Sequence, residues 1–229
     1  MILLHGSNSA GAEMAPLAEA FEPNVQTRAP NLIGHGGRPI PERFSIREFA
    51  EDVVAYLDRE GIDKTFITGY STGGYIALYL ARHHPQRLRG VVALATKHVF
   101  DAETVKHWVH LVEPARLGRP GNPRKGELEK AHAPQDWTAV ALRNARLFED
   151  LGRNAPLGTA DLAAITVPVM LVSSDRDSIV PWPEMLALGK LIPGSHLAMF
   201  YGAAHPLKAV PVHAVARAIS QWLEKVSRA

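Results

Sequence analysis

Apolar residues along this chain alternate between two habits. Some form short apolar or β-rich runs, as in Ile2-Leu3-Leu4, 65–70, 88–95 with its core at 91–95, and 167–172, the signature of strands buried on both faces of a parallel sheet. Others recur every three or four residues. Met14, Leu17, Ala18 and Phe21 predict a helix over 14–21; Ile46, Phe49, Val53, Val54 and Leu57 predict another over 45–59, with Ser45 as N-cap and Glu48 three residues on. A helix follows Ser71 as far as His84, where Pro85 stops it. Val212, Val215, Ile219, Trp222 and Leu223 mark the inner face of a closing helix over 209–226. Residues 25–29 before Pro30 and 196–201 read as further strands, and 185–191 as a further helix. Strand and helix in alternation give an α/β fold, a mostly parallel sheet with helices on both faces.

The alternation breaks between residues 97 and 160. No strand signal occurs there. Helices are expected over 102–112 and 135–151, separated by a glycine- and proline-rich loop over 118–126. The chain therefore divides into a core of 1–96 and 161–229 and a helical cap insertion of 97–160 over the carboxyl edge of the sheet. Trp108, Trp137, Leu147 and Phe148 are the candidates to line its underside.

The chain's 229 residues suit one α/β domain carrying a modest insertion. With 46% hydrophobic and 21% charged residues it has the composition of an ordinary globular protein. A net charge of +2 points to neither nucleic acid nor an anionic membrane. The absence of cysteine excludes disulfides and thiolate chemistry and fits a cytoplasmic location. No H-E-x-x-H or similar metal spacing occurs, and no cofactor motif is expected.

Gly69-Tyr70-Ser71-Thr72-Gly73 fits G-x-S-x-G, and it lies between an expected strand and an expected helix, as a nucleophile elbow must. A serine hydroxyl is a poor nucleophile near neutral pH, so it needs a base, and the base needs an acid to fix its tautomer. The elbow motif places these in the order serine, acid, histidine, each on a loop after a later strand. Asp177 and His205 occupy those places. Among the other histidines, His83 and His84 suit a helix C-terminus, and His107, His110 and His132 fall on the insertion.

Leu3-Leu4-His5-Gly6 at an early strand end, Gly34-His35-Gly36, the elbow at Ser71, and Asp177-Ser178-Ile179-Val180-Pro181 ahead of His205 together span nearly the whole chain. In these motifs the sequence resembles the α/β-hydrolase superfamily, and in particular its carboxylesterase-like serine hydrolases with a small helical cap. The resemblance implies Ser71 as nucleophile and His205 as base. Asp177 is the implied acid, because its spacing to Pro181 matches the family's turn; Asp175 and Asp101 are the alternatives. It also implies an oxyanion hole from the backbone N–H groups of Ser7 and Thr72, with Asn8 in place of Ser7 if the loop runs one residue differently, and His5 as a buttress of that loop. Ala204 stands where the family more often has glycine. Family members usually begin with two antiparallel strands that this sequence does not show, so the first strand is expected to present an uncovered edge, which would favour a homodimer.

The expected activity is cofactor-independent cleavage of a carboxylic ester or related small acyl substrate. Carbon–carbon hydrolysis, thioester or lactone cleavage and lyase chemistry on the same three side chains are the alternatives, and a non-catalytic small-ligand receptor is the alternative of another class. Arg116, Arg119, Arg124, Arg143, Arg146 and Arg153 of the insertion could meet an anionic substrate, or serve only as a solvated face.

Overall fold

A computed structural model of the chain describes residues 1–21, 23 and 25–228. Its frame is a five-stranded sheet in the order β1 (Ile2–Leu4), β2 (Thr65–Tyr70), β3 (Leu88–Leu94), β4 (Val169–Ser174), β5 (His196–Phe200), with all four pairings parallel. Parallel pairing requires every connection to cross back over a face of the sheet, and helices carry those crossings. These are α1 (Ala15–Ala20), α2 (Ile46–Arg59), α3 (Thr72–His83), then α4 (Ala102–Val112), α5 (Pro114–Leu117), α6 (Arg124–His132), α7 (Trp137–Arg153) and α8 (Thr159–Ala163) between β3 and β4, and finally α9 (Trp182–Leu191) and α10 (Val212–Ser227). No helix among the described residues is long and apolar enough to cross a membrane.

Side chains alternate across each strand, and the sheet accordingly separates two cores. Ile2, Leu4, Ile67, Val91, Ala93, Val169 and Leu171 pack with α2, α3, α7 and α9 on one face. Leu3, Tyr70, Val92, Leu94, Met170 and Val172 pack with Met14 and Leu17 and with Val215, Ile219 and Trp222 of α10 on the other. Both faces of β1 to β4 are covered, which is why these strands read as continuous apolar runs. The segment 15–59 shows why α2 was legible: Ser45 takes an extended conformation, accepts from the Glu48 N–H at 3.5 Å and bonds the Glu48 carboxylate in return, so the first turn is closed by its own side chains.

Five elements differ from expectation. Residues 25–29 supply a single parallel bridge, Arg28 to Ile2, and no strand. Arg28 N–H donates to Met1 O at 3.0 Å and Leu3 N–H to Arg28 O at 2.8 Å, so the edge of β1 expected to be bare is paired at that point. Pro30 ends the approach within two residues. The loop expected over 118–126 gives way to α6 at Arg124, a helix with only Leu128 and His132 buried and so without the apolar stripe that marks a helix in sequence. The short helices α5 and α8 carry no periodic signal either. The closing helix starts at Val212, not 209, because Pro211 can enter a helix only at its first turn.

Candidate active site

The elbow is built by a close approach of backbones. Between β2 and α3 the chain reverses at Ser71, whose φ of 53° and ψ of −117° lie outside the ordinary regions for an L-residue. Strain of this kind costs roughly 1–3 kcal/mol and persists only when its surroundings enforce it. Here Ser71 N–H donates to Leu94 O at 2.8 Å, and the Gly74 and Tyr75 N–H groups return to Ser71 O at 3.0 and 3.2 Å. A Cβ on Gly69 would sit 2.1 Å from Gly73 O, and one on Gly73 would sit 2.3 Å from Leu4 O. Neither position can carry a side chain without pulling β1, β2 and α3 apart. The glycines of the motif are thus spacers that let the serine stand at the helix N-terminus.

Ser71, His205 and Asp177 lie far apart in sequence and meet at this point. His205 Nε2 is 3.3 Å from Ser71 Oγ, and His205 Nδ1 is 2.8 Å from Asp177 Oδ2. Asp177 is almost fully buried; its other oxygen accepts the Ile179 and Val180 N–H groups at 2.9 and 2.8 Å. A carboxylate with both oxygens occupied is fixed in plane, and it selects the imidazole tautomer that leaves Nε2 unprotonated and facing Ser71 Oγ. The two alternative acids are engaged elsewhere. Asp175 Oδ1 accepts Gly202 N–H at 2.6 Å, tying β4 to the end of β5, and Asp101 caps α4 through Thr104 N–H at 2.8 Å.

Ser7 and Thr72 are brought side by side, with Thr72 Oγ1 donating to Ser7 Oγ at 3.3 Å. Thr72 opens α3, where the first N–H groups have no intrahelical acceptor. Asn8, with φ of 53°, turns its side chain away to donate to Val112 O at 2.9 Å, so it pins the loop to the end of α4. His5 is fully buried: its Nε2 accepts Leu32 N–H at 3.1 Å while Nδ1 donates to Gly6 O at 2.8 Å. Burial pushes its pKa down to about 4, so it is a neutral brace beneath the loop.

Several residues here carry no sequence signal of their own. Tyr70 Oη donates to His205 O at 2.8 Å, and its ring centroid lies 5.4 Å from the imidazole. Burial pushes the phenol well above its usual range, which keeps it a donor. Lys97, buried beside Ser71, pairs with Glu184 at the start of α9. Burial opposes charge on Glu184, but hydrogen bonds from His98 and Lys97 outweigh it and hold the carboxyl down at about 2. Glu13 Oε2 accepts Gly6 N–H at 3.0 Å, and burial raises its pKa. Glu13 therefore positions the loop that carries Ser7. Glu13→Ala is expected to lower kcat about 10- to 100-fold with little change in KM, whereas Glu13→Gln, which still offers an acceptor, recovers most of it. Steady-state kinetics of the two variants check this; equal losses in both would remove the hydrogen bond as the cause.

The helical segment between β3 and β4 closes over the serine. Trp108 and Phe148 meet edge to face at 4.9 Å between centroids and line the space beside Ser71, as expected from sequence. Trp137 does not: it belongs to a satellite cluster with Leu117, Leu128 and Ala141, formed because α5 and α6 exist. Leu147 is absorbed into the main core. Of the insertion's arginines, Arg116 and Arg124 line the cavity at the serine. Arg143 is tied to Pro41 O and Glu42 O at 2.5 and 2.7 Å, and Arg153 pairs with Asp150 at 2.7 Å. Among the described residues no group of three or more His, Asp or Glu side chains converges on a metal position.

A fold of this topology with a strained serine at the turn into α3 defines a class, and comparison with known proteins agrees. The model of the alpha/beta hydrolase family matches residues 1–218, and the chain belongs to that family. The chain is 27% identical over 97% of its length, and 86% of the relative's, to a 2-hydroxymuconate semialdehyde hydrolase of Pseudomonas putida. It is 28% identical over 89% of its length, and 85% of the relative's, to a pimeloyl-[acyl-carrier protein] methyl ester esterase of Neisseria meningitidis. Among solved structures it superposes on a thermophilic esterase from Thermogutta terrifontis, crystallised with malate bound, with a TM-score of 0.78 at 25% identity over 98% of this chain and 89% of that one.

Proposed function

We propose that this member of the family is a serine esterase in which Ser71, His205 and Asp177 form the catalytic relay. Ser71 Oγ attacks the ester carbonyl as His205 Nε2 takes its proton, and the oxyanion is met by the Ser7 and Thr72 N–H groups. His205 then protonates the leaving alcohol, and water activated by the same imidazole releases the acid and restores the serine. Residues 97–160 act as a cap that shapes the substrate space. The observation that carries the reading is the continuous hydrogen-bonded line from a buried carboxylate, through an imidazole, to a hydroxyl held at a strained turn.

The relatives are named a semialdehyde hydrolase and a methyl ester esterase, and the same relay serves both ester and carbon–carbon bond cleavage. A small-ligand receptor on this fold is the competing reading. A fluorophosphonate probe separates them: covalent labelling of the wild-type chain and none of Ser71→Ala is expected, and a well-folded wild-type chain that resists the probe would favour the receptor.

A further inference from the structure

Ser71 stands at the junction of two unequal compartments. One, lined by Tyr75, Phe100, Trp108, Phe148 and Leu151 and by Lys97, whose charge is paired with Glu184, is largely apolar and has a volume of about 10 Å³. That is room for roughly one methyl-sized group. The other, of about 200 Å³, is lined by polar groups including Tyr70, Glu13, Arg116, Arg124 and His205. It runs on into a groove of about 400 Å³ that shares Glu13, Tyr70, Arg124 and His205. Trp108 and Ser71 border both of the first two.

The chemistry decides which part of an ester goes where. The leaving oxygen has to reach His205 Nε2 for its proton, and His205 lines only the larger compartment and its groove. With the carbonyl oxygen directed at Ser7 and Thr72, the remaining substituent of the carbonyl carbon is left the smaller, largely apolar compartment. The acyl group is therefore small and the leaving group extended.

The larger compartment also has an uneven charge. Arg116 commits one Nη1–H to Leu111 O at 3.1 Å, out of the five N–H donors of a guanidinium. Arg124 lines both the compartment and its groove. Lys208, farther along the groove, is already paired with Glu127 at 3.7 Å. Glu13 is the opposing group, and its carboxylate is engaged by the Gly6 N–H of the loop. Two guanidiniums face one internally bonded carboxyl, a site that an added carboxylate would balance.

We infer that the preferred substrate is an acetyl-sized ester of an alcohol or phenol that carries a carboxylate, the carboxylate being met by Arg116 and Arg124. The inference rests on Ser71 and His205 acting as proposed above. The reaction adds one water and releases acetate and the hydroxy acid, so no further reactant is needed.

Three probes test it with the purified chain: 4-acetoxybenzoate, its neutral methyl ester, and monophenyl adipate, which carries its carboxylate on a long acyl side. The expected kcat/KM for 4-acetoxybenzoate exceeds that for the methyl ester by about tenfold, mainly through KM, and exceeds that for monophenyl adipate by more. In Arg116→Gln/Arg124→Gln the ratio between the two acetates should fall to about one. Arg124→Gln alone, at an exposed position with no fold to disturb, should lower it part of the way. Equal use of both acetates by the wild type would overturn the carboxylate site while leaving the esterase reading intact. Preference for monophenyl adipate would reverse the compartments and overturn the inference. Failure to cleave any of the three, with no fluorophosphonate labelling, would remove the esterase reading beneath it.

Discussion

Ser71→Ala and His205→Ala are each expected to lower kcat for phenyl acetate by about 10³-fold or more, and the double variant by little beyond either single one. The reason for non-additivity is that in the proposed relay the two side chains perform one act. Without the hydroxyl the imidazole at 3.3 Å has no nucleophile to activate, and without the imidazole the hydroxyl keeps its proton. Asp177→Asn should fall into the same range despite being isosteric. An asparagine amide in place of Oδ2 would offer an N–H to Nδ1 and turn the imidazole to the tautomer whose Nε2 already bears hydrogen. Asp101→Asn preserves a good N-cap on α4 and should stay close to wild type. Single-turnover measurements on folded protein, verified by circular dichroism, decide the matter. If Ser71→Ala, His205→Ala or Asp177→Asn kept more than a tenth of the wild-type rate, the chemistry would have to be assigned to other residues.

What could be read from the sequence, and what could not, follows from where each signal resides. The elbow is a local device: the close approach at Gly69 and Gly73 is imposed by the turn itself, so the glycines announce the serine between them. Asp177 and His205 were nameable because each lies on a loop after a later strand, and Asp177 was preferred to Asp175 only through the resemblance of its spacing to Pro181 to the family's turn. Tyr70 and Glu13 were not. Tyr70 occupies a freely variable position of the motif, and its bond to His205 O exists only because 135 residues later the chain returns to the same rim. Glu13 lies on an unremarkable turn ahead of α1, and only tertiary packing sets it beneath Gly6. The helices show the same division. α2 buries one face against the body and displays it as a stripe, and α4 sets Trp108, Val109 and Val112 against the core, whereas α6 is polar nearly all round and is held by its neighbours. Missing α6 misplaced Trp137, whose partners Leu117 and Leu128 lie in the stretch read as loop or left unassigned.

Acidification from pH 7 to about 4.5 is expected to lower the thermal midpoint by more than about 10 °C, because three histidines are buried in the neutral form where the core meets the helical segment. The rings of His5 and His35 lie 5.2 Å apart and those of His35 and His132 6.0 Å apart. Each uses a ring nitrogen as acceptor: His5 Nε2 from Leu32 N–H at 3.1 Å, His35 Nε2 from the Asn144 amide at 3.1 Å, His132 Nδ1 from Gly36 N–H at 3.1 Å. Protonation would remove each acceptor and place like charges together. Burial holds His5 at about 4, His35 well below its usual value, the His5 ring adding to the effect, and His132 below it. The unfolded chain binds protons on these rings near pH 6.5 while the native chain does not, so stability falls as pH drops from about 6.5 towards 4. For His5 alone the loss by pH 4 is roughly 3 kcal/mol, and the other two rings act in the same direction. A loss of that size is a large share of the 5–15 kcal/mol typical of a folded chain, and at about 2–4 °C per kcal/mol it sets the expected shift. Glu13 works the other way, since its raised pKa lets the native state keep a proton the unfolded chain releases, but it is one carboxyl against three imidazoles. Glu184, held near 2, contributes above its unfolded value and loses that contribution only at still lower pH. Melting curves at constant ionic strength should show the native chain binding fewer protons than the unfolded chain between pH 6.5 and 5, and His132→Asn, whose amide oxygen can still accept from Gly36, should reduce that difference. A midpoint flat to pH 4.5 would mean that these rings are charged or solvated in the native chain. Because His35 and His132 join the 31–37 loop to α6 and α7, activity is expected to fail at a higher pH than the sheet unfolds, as the helical segment loosens from the rim that holds Ser71.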